Sequence, residues 1–134
     1  METIHTKYLG NLRTEAVHLK SKNVIITDAP PDNHGRGEAF SPTDLMSASL
    51  GSCMITLMGI KANEHKIGLE GLSLRITKMM AENPRRVAEI IVDVDMPKSV
   101  FSEKEKTILE HTAINCPVAK SLHPDLKQTI RFNY

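Results

Sequence analysis

The segment from Ser41 to Glu64 constrains this chain more than any other, because its middle is apolar on every side. Leu45, Met46, Leu50, Met54, Ile55, Leu57, Met58 and Ile60 fall at too many angles to form one stripe. An all-round apolar helix has to be enclosed by the rest of its protein or by a partner. Its start is well marked. Ser41 can cap the first turn, Pro42 suits the first helical position, and Asp44 stands where a capping box needs an acceptor. Ser47, Ala48, Ser49, Gly51 and Ser52 are small enough to let another backbone come close. The uncharged run, residues 45–60, is sixteen residues long and contains Ser, Thr and Gly. That is short of a typical membrane span, so a central core helix is predicted.

The remaining elements are arranged around it. Residues 4–9, 13–19 and 23–27 are short β-rich runs broken by Gly10-Asn11 and Ser21-Lys22, as in a meander. Residues 28–40, with two prolines and two glycines, form a loop long enough to suggest a functional role. Beyond the Gly68 to Gly71 turn the period becomes two: Leu72, Leu74 and Ile76, then Ile90, Val92, Val94 and Met96. With Glu82-Asn83-Pro84-Arg85 as the link, these predict two antiparallel strands having one wet face. Ser102-Glu103-Lys104-Glu105 is a second capping box and opens a helix to about Asn115. Cys116-Pro117 starts a short helical turn, and residues 129–133 read as a closing strand.

The 134 residues are the length of one domain, and 25% charged with 40% hydrophobic residues is a globular composition. Seventeen basic residues against sixteen acidic ones argue against a nucleic-acid surface. The start, Met1 to His5, lacks the regions of a signal peptide, so a cytoplasmic protein with reduced thiols and no membrane association is expected.

Chemistry can rest on few residues here. Cys53 lies about three turns into the apolar helix, where a cysteine is often plain packing. The helix dipole fades within the first turn, so it cannot activate this thiol. An unperturbed thiol with a pKa of about 8.5 is only about 3% thiolate at pH 7. A nucleophilic Cys53 therefore needs a fixed cation from elsewhere. Cys116 precedes Pro117, near an N-cap whose free N–H groups favour a thiolate. The cysteines are 63 residues apart, and no cysteine–histidine spacing of zinc-ligand type occurs, so no metal is expected. Gly35-Arg36-Gly37 lacks the setting of a phosphate loop, and there is no nucleophile-elbow serine. A cysteine hydrolase would need a histidine near Cys53, but His65 is twelve residues on.

These residues resemble a known family. Ser41-Pro42-Thr43-Asp44-Leu45-Met46-Ser47-Ala48-Ser49-Leu50-Gly51-Ser52-Cys53 is similar to the first signature of the OsmC/Ohr family, and Asn115-Cys116-Pro117-Val118 to the second. Leu12-Arg13-Thr14 looks like the family's arginine position. The resemblance implies an α+β fold, with antiparallel sheets wrapped around a long central helix, spanning residues 1–134 as one OsmC-like domain. It implies an intertwined homodimer that reduces organic hydroperoxides. Cys53 would be the peroxidatic thiol and Arg13 the cation beside it. Cys116 would close a disulfide, reset by a dithiol reductant that in this family is typically lipoyl-protein-linked. No cofactor is implied. The family often has a glutamate directly after the helix's proline to orient the arginine, and here Thr43 stands there. Asp44 and Glu38 are the carboxylates that could replace it, Asp44 also being explicable as a capping residue. The alternative is a non-catalytic protein of the same fold that binds a small hydrophobic molecule at the dimer interface.

Overall fold

A computed structural model describes residues 1–134. In order, the chain forms strands β1 (Ile4–Gly10), β2 (Arg13–His18) and β3 (Val24–Asp28), then helix α1 (Pro42–Glu64) and strands β4 (Ser73–Ala81) and β5 (Arg86–Asp95). Helices α2 (Glu103–Ile114) and α3 (Pro117–Ser121) and strand β6 (Lys127–Asn133) complete it. The chain divides into two compact units, Met1–Met46 and Ser47–Tyr134. Helix α1 begins in the first and continues through the second.

The first unit is a three-stranded antiparallel meander in the order β1-β2-β3. Its buried side chains are all polar: Thr27, Asp28 and Ser41. Many of its apolar ones, Ile4, Tyr8, Leu9, Leu12, Val24 and Ile25 among them, are exposed. The loop after β3 is tied down. The amide of Gly37 donates to the Ala29 carbonyl, that of Gly35 to the Pro30 carbonyl, and Asp28 donates its amide to the Phe40 carbonyl. Residues Pro31–Asn33 form a single 3-10 turn inside it. Only glycine fits at position 35, where a Cβ would lie 1.7 Å from the Ala29 carbonyl oxygen.

The capping box expected at the start of α1 is present. Asp44 donates its amide to the Ser41 hydroxyl at 3.1 Å, and the Ser41 amide donates to the Asp44 carboxylate at 3.0 Å. Each satisfies a backbone donor that the first helical turn leaves free.

The second unit holds the apolar core. Sheet β4-β5-β6 is antiparallel between β4 and β5, as expected, but β6 joins β5 in parallel. Ile90, Val92 and Val94 alternate inward on the central strand β5 and are wholly buried. Opposite residues share a face, so Leu74 and Ile76 of β4 and Ile130 and Phe132 of β6 point the same way. The other face is wet and carries Arg75 paired with Asp95 and Arg131 paired with Asp93. Helix α1 lies on the apolar face. Its buried stripe is Ser47, Leu50, Gly51, Met54, Met58 and Ala62. A Cβ on Gly51 would meet the Ile76 and Leu74 methyl carbons at 2.5 and 2.8 Å. Gly51 is thus used within the chain, and Ser47 on the same stripe is buried as well. Ser49, Ser52, Thr56 and Ile60 remain exposed on the helix's other side. By length and composition alone α1 could cross a membrane, but its buried stripe is seated on a sheet.

Helix α2 opens with the predicted capping box, Ser102 and Glu105 exchanging side-chain to amide bonds of 3.1 and 2.9 Å. Its Leu109 and Ala113 are fully buried. The C-terminal Tyr134 packs edge-on against Phe101, donates its hydroxyl to Glu110, and lies under the Lys106 ammonium.

Candidate active site

The second unit brings the two cysteines together. Cys53 projects from α1 about three turns after Pro42 and is half-buried. Cys116 caps α3 and is 1% exposed. Both are free thiols, and the Cys53 sulfur lies close enough to Cys116 to act on its thiol. The N-cap position of Cys116 led to the expectation of a favoured thiolate. The net effect is the reverse. Burial pushes the Cys116 thiol up, and the hydrogen bond and charge of the Cys53 sulfur push it further. The amides of Ala119 and Val118 pull it down, but by less. A cap of one short turn cannot offset desolvation of a sulfur sealed from water. At neutral pH Cys116 is therefore a protonated donor facing Cys53. This division suits nucleophilic chemistry at Cys53, because the partner can stabilise a thiolate there by donating its S–H.

The first unit builds the arginine. In the β2–β3 ladder Arg13 lies directly opposite Asp28. The guanidinium makes a two-pronged ion pair, Nε donating to Oδ1 at 2.7 Å and Nη2 to Oδ2 at 2.8 Å. The Glu38 amide adds a third bond to Asp28, at 3.1 Å to Oδ2. Asp28 is fully buried and Arg13 about a quarter exposed. Hydrogen bonding from Arg13 holds the Asp28 carboxyl below the usual carboxylate range, against burial, which acts in the opposite sense. The Arg13 guanidinium is correspondingly held charged. The Glu38 carboxylate is an outlying partner, 3.6 Å from Nη2 and mostly exposed. Asp44, the other candidate, closes the α1 capping box with Ser41.

The sequence reading missed Asp28, which it placed as the first residue of a loop. The turn signal alone would not have found it: a symmetric fold about Ser21-Lys22 sets residue 30 opposite residue 13, whereas the actual register is centred one residue earlier and brings Asp28 there. No group of three or more His, Cys, Asp or Glu side chains is placed to hold a metal ion.

Comparison with known proteins bears on the family and the fold. Residues 35–131 match the family model for OsmC-like protein. A Psychrobacter arcticus 273-4 protein, assigned to osmotic stress induction and the detoxification response, is 49% identical to this chain. Its crystal structure superposes with a TM-score of 0.95, covering 99% of this chain and 96% of that one. Two organic hydroperoxide resistance proteins share the fold at much lower identity. That of Legionella pneumophila is 16% identical, with a TM-score of 0.76 over 100% of this chain and 98% of its own. That of Elizabethkingia anophelis is 14% identical, with a TM-score of 0.76 over 99% and 96%. A search of curated proteins finds no match. The family model spans most of the chain and the Psychrobacter protein is 49% identical over nearly its whole length, so the chain belongs to the OsmC family.

Proposed function

We propose that this protein is a thiol-dependent peroxidase that reduces organic hydroperoxides as a cytoplasmic homodimer. The observation that carries the reading is the closeness of two free thiols of unequal burial, Cys53 half-open and Cys116 sealed. The Cys53 thiolate attacks the distal peroxide oxygen and breaks the O–O bond. The sulfur takes that oxygen as a sulfenic acid, and the alkoxide leaves with a proton as an alcohol. The Cys116 thiol then displaces the sulfenic oxygen as water and forms the Cys53–Cys116 disulfide. A dithiol reductant, of the lipoyl-protein class, returns both thiols and is itself oxidised to a disulfide. Attack on peroxide needs a cation at the Cys53 sulfur. Arg13 is proposed to supply it in the assembled homodimer, since its guanidinium stays charged at any working pH.

The homodimer itself is supported by the first unit, where Ile4, Tyr8, Leu9, Leu12, Val24 and Ile25 lie outside and the fully buried side chains are polar. Such a sheet gains little from burial alone and needs a second surface to cover it.

Stoichiometric cumene hydroperoxide followed by peptide mass spectrometry tests the reading. The expected product is a Cys53–Cys116 disulfide, and in Cys116→Ser a persistent or over-oxidised Cys53 sulfenic acid. Both thiols intact after treatment would instead favour a non-catalytic protein that holds a small hydrophobic molecule at the dimer interface.

A further inference from the structure

Asp28 is the only charged side chain among the buried residues. A buried carboxylate is costly unless it is fully paired, and swapping a buried ion pair for apolar residues is often neutral or stabilising. The β2–β3 ladder already joins these strands through their backbones, so the pair is not needed to connect them. What the pair adds is geometry. A guanidinium is a rigid plane. Bonds from Nε and Nη2 to the two oxygens of one carboxylate fix both the tilt of that plane and its rotation. The carboxylate is held in turn by the Glu38 amide, on a loop tied to β3. One corner, Nη1, is left with both of its N–H groups unbonded within this unit.

We propose that Asp28 is the positioning residue of Arg13, locking the Nε–Nη2 edge so that Nη1 is the working corner offered to thiolate and peroxide. This rests on the peroxidase reading above. Glu38 serves through its backbone N–H rather than its carboxylate, which is exposed and lies 3.6 Å from Nη2, with the Arg36 guanidinium 3.9 Å away. A neighbouring negative charge partly cancels the guanidinium's field, so two roles for Asp28 predict opposite effects on Cys53. Removing the charge alone favours the Cys53 thiolate. Removing the clamp slows the reaction of a thiolate already formed.

The test is the pH profile of the peroxide reaction in a Cys116→Ser background, with the Cys53 alkylation midpoint measured beside it. For Asp28→Asn, nearly isosteric, the high-pH plateau rate should fall tenfold or more while the alkylation midpoint does not rise. Glu38→Gln, which keeps the amide, should lose less than threefold. An Asp28→Asn plateau within twofold of the parent overturns the proposal, and so does an equal loss in Glu38→Gln. A second readout does not depend on turnover: the Arg13 Nε–H resonance in a 15N-labelled sample. It should be resolved and slow to exchange with water in the unsubstituted protein and in Glu38→Gln, and broadened in Asp28→Asn. An Nε–H exchanging as fast as that of a free arginine in the unsubstituted protein overturns the proposal even if Asp28→Asn does not fold. A protein inert to hydroperoxide with a slow Nε–H would remove the peroxidase reading and leave the clamp on Arg13 standing.

Discussion

At the scale of single residues, the two thiols differ in what surrounds them, and that difference can be measured directly. Cys116 is sealed and its thiol is pushed up by burial, while Cys53 is half-open on α1. Iodoacetamide at neutral pH should therefore label Cys53 at least tenfold faster than Cys116, as read by timed peptide mapping. Equal rates would mean that the burial of Cys116 is not maintained in solution. Arg13→Ala should raise the pH midpoint of Cys53 alkylation and slow peroxide reduction by an order of magnitude or more. Arg13→Lys should recover only part of the rate, since an ammonium keeps the charge but lacks the planar fork. The Arg13–Asp28 pair also sets a pH dependence. The Asp28 carboxyl is held low in the folded chain, so its contribution is complete above the unfolded carboxylate value of about 3.9. It is lost as pH falls through the lower folded value. Thermal melts between pH 7 and pH 3 should show stability dropping at the acid end, with a shallower drop in Asp28→Asn. Asp95, held low chiefly by the hydrogen bond from Arg75, adds a similar loss on the wet face of the second sheet.

At the scale of elements, local signals and tertiary ones separate cleanly. The starts of α1 and α2 were legible because their capping boxes are local chemistry, and both boxes form. Ser102→Ala should accordingly cost about 1 kcal/mol. The hairpin was legible in kind but not in length. Strands β4 and β5 run to Ala81 and start at Arg86, whereas alternation was visible only over residues 72–77 and 90–96. An irregularity between Met79 and Met80 shifts the register there and breaks the two-residue period. The direction of β6 was not legible, because it depends on which edge of β5 the chain meets on its return. Asp28 was hidden for the same reason: its role appears only when β3 is placed against β2. The two cysteines were identified as candidates, but their contact and the upward push on Cys116 belong to packing. Helix α1 meets its sheet at Gly51, where a Cβ would press on the methyl ends of Ile76 and Leu74. Gly51→Val should overpack this contact and destabilise by about 1–3 kcal/mol. Leu50→Ala, at a fully buried position, should cost about 2–5 kcal/mol by leaving a cavity. Chemical denaturation of each variant provides the values.

At the scale of the whole molecule, the two units are unequal in what holds them. The second has a continuous apolar core, and the first buries Thr27, Asp28 and Ser41 while leaving Ile4, Tyr8, Leu9 and Leu12 outside. If a second copy covers those side chains, sedimentation at micromolar concentration should show a species near twice 14.9 kDa. The melting temperature should also rise with protein concentration. A single 14.9 kDa species with a concentration-independent melt would rule out the homodimer. The parallel pairing of β6 has a consequence for biosynthesis. Strand β5 is the centre of its sheet, yet the strand that covers its second edge follows only after α2 and α3. As the chain leaves a ribosome at about 5–20 residues per second, β5 spends seconds as a finished strand with an open, apolar-faced edge. During those seconds the nascent chain is a template for any other strand it meets. That exposure is concentrated in one interval, after the hairpin has emerged and before its neighbour arrives.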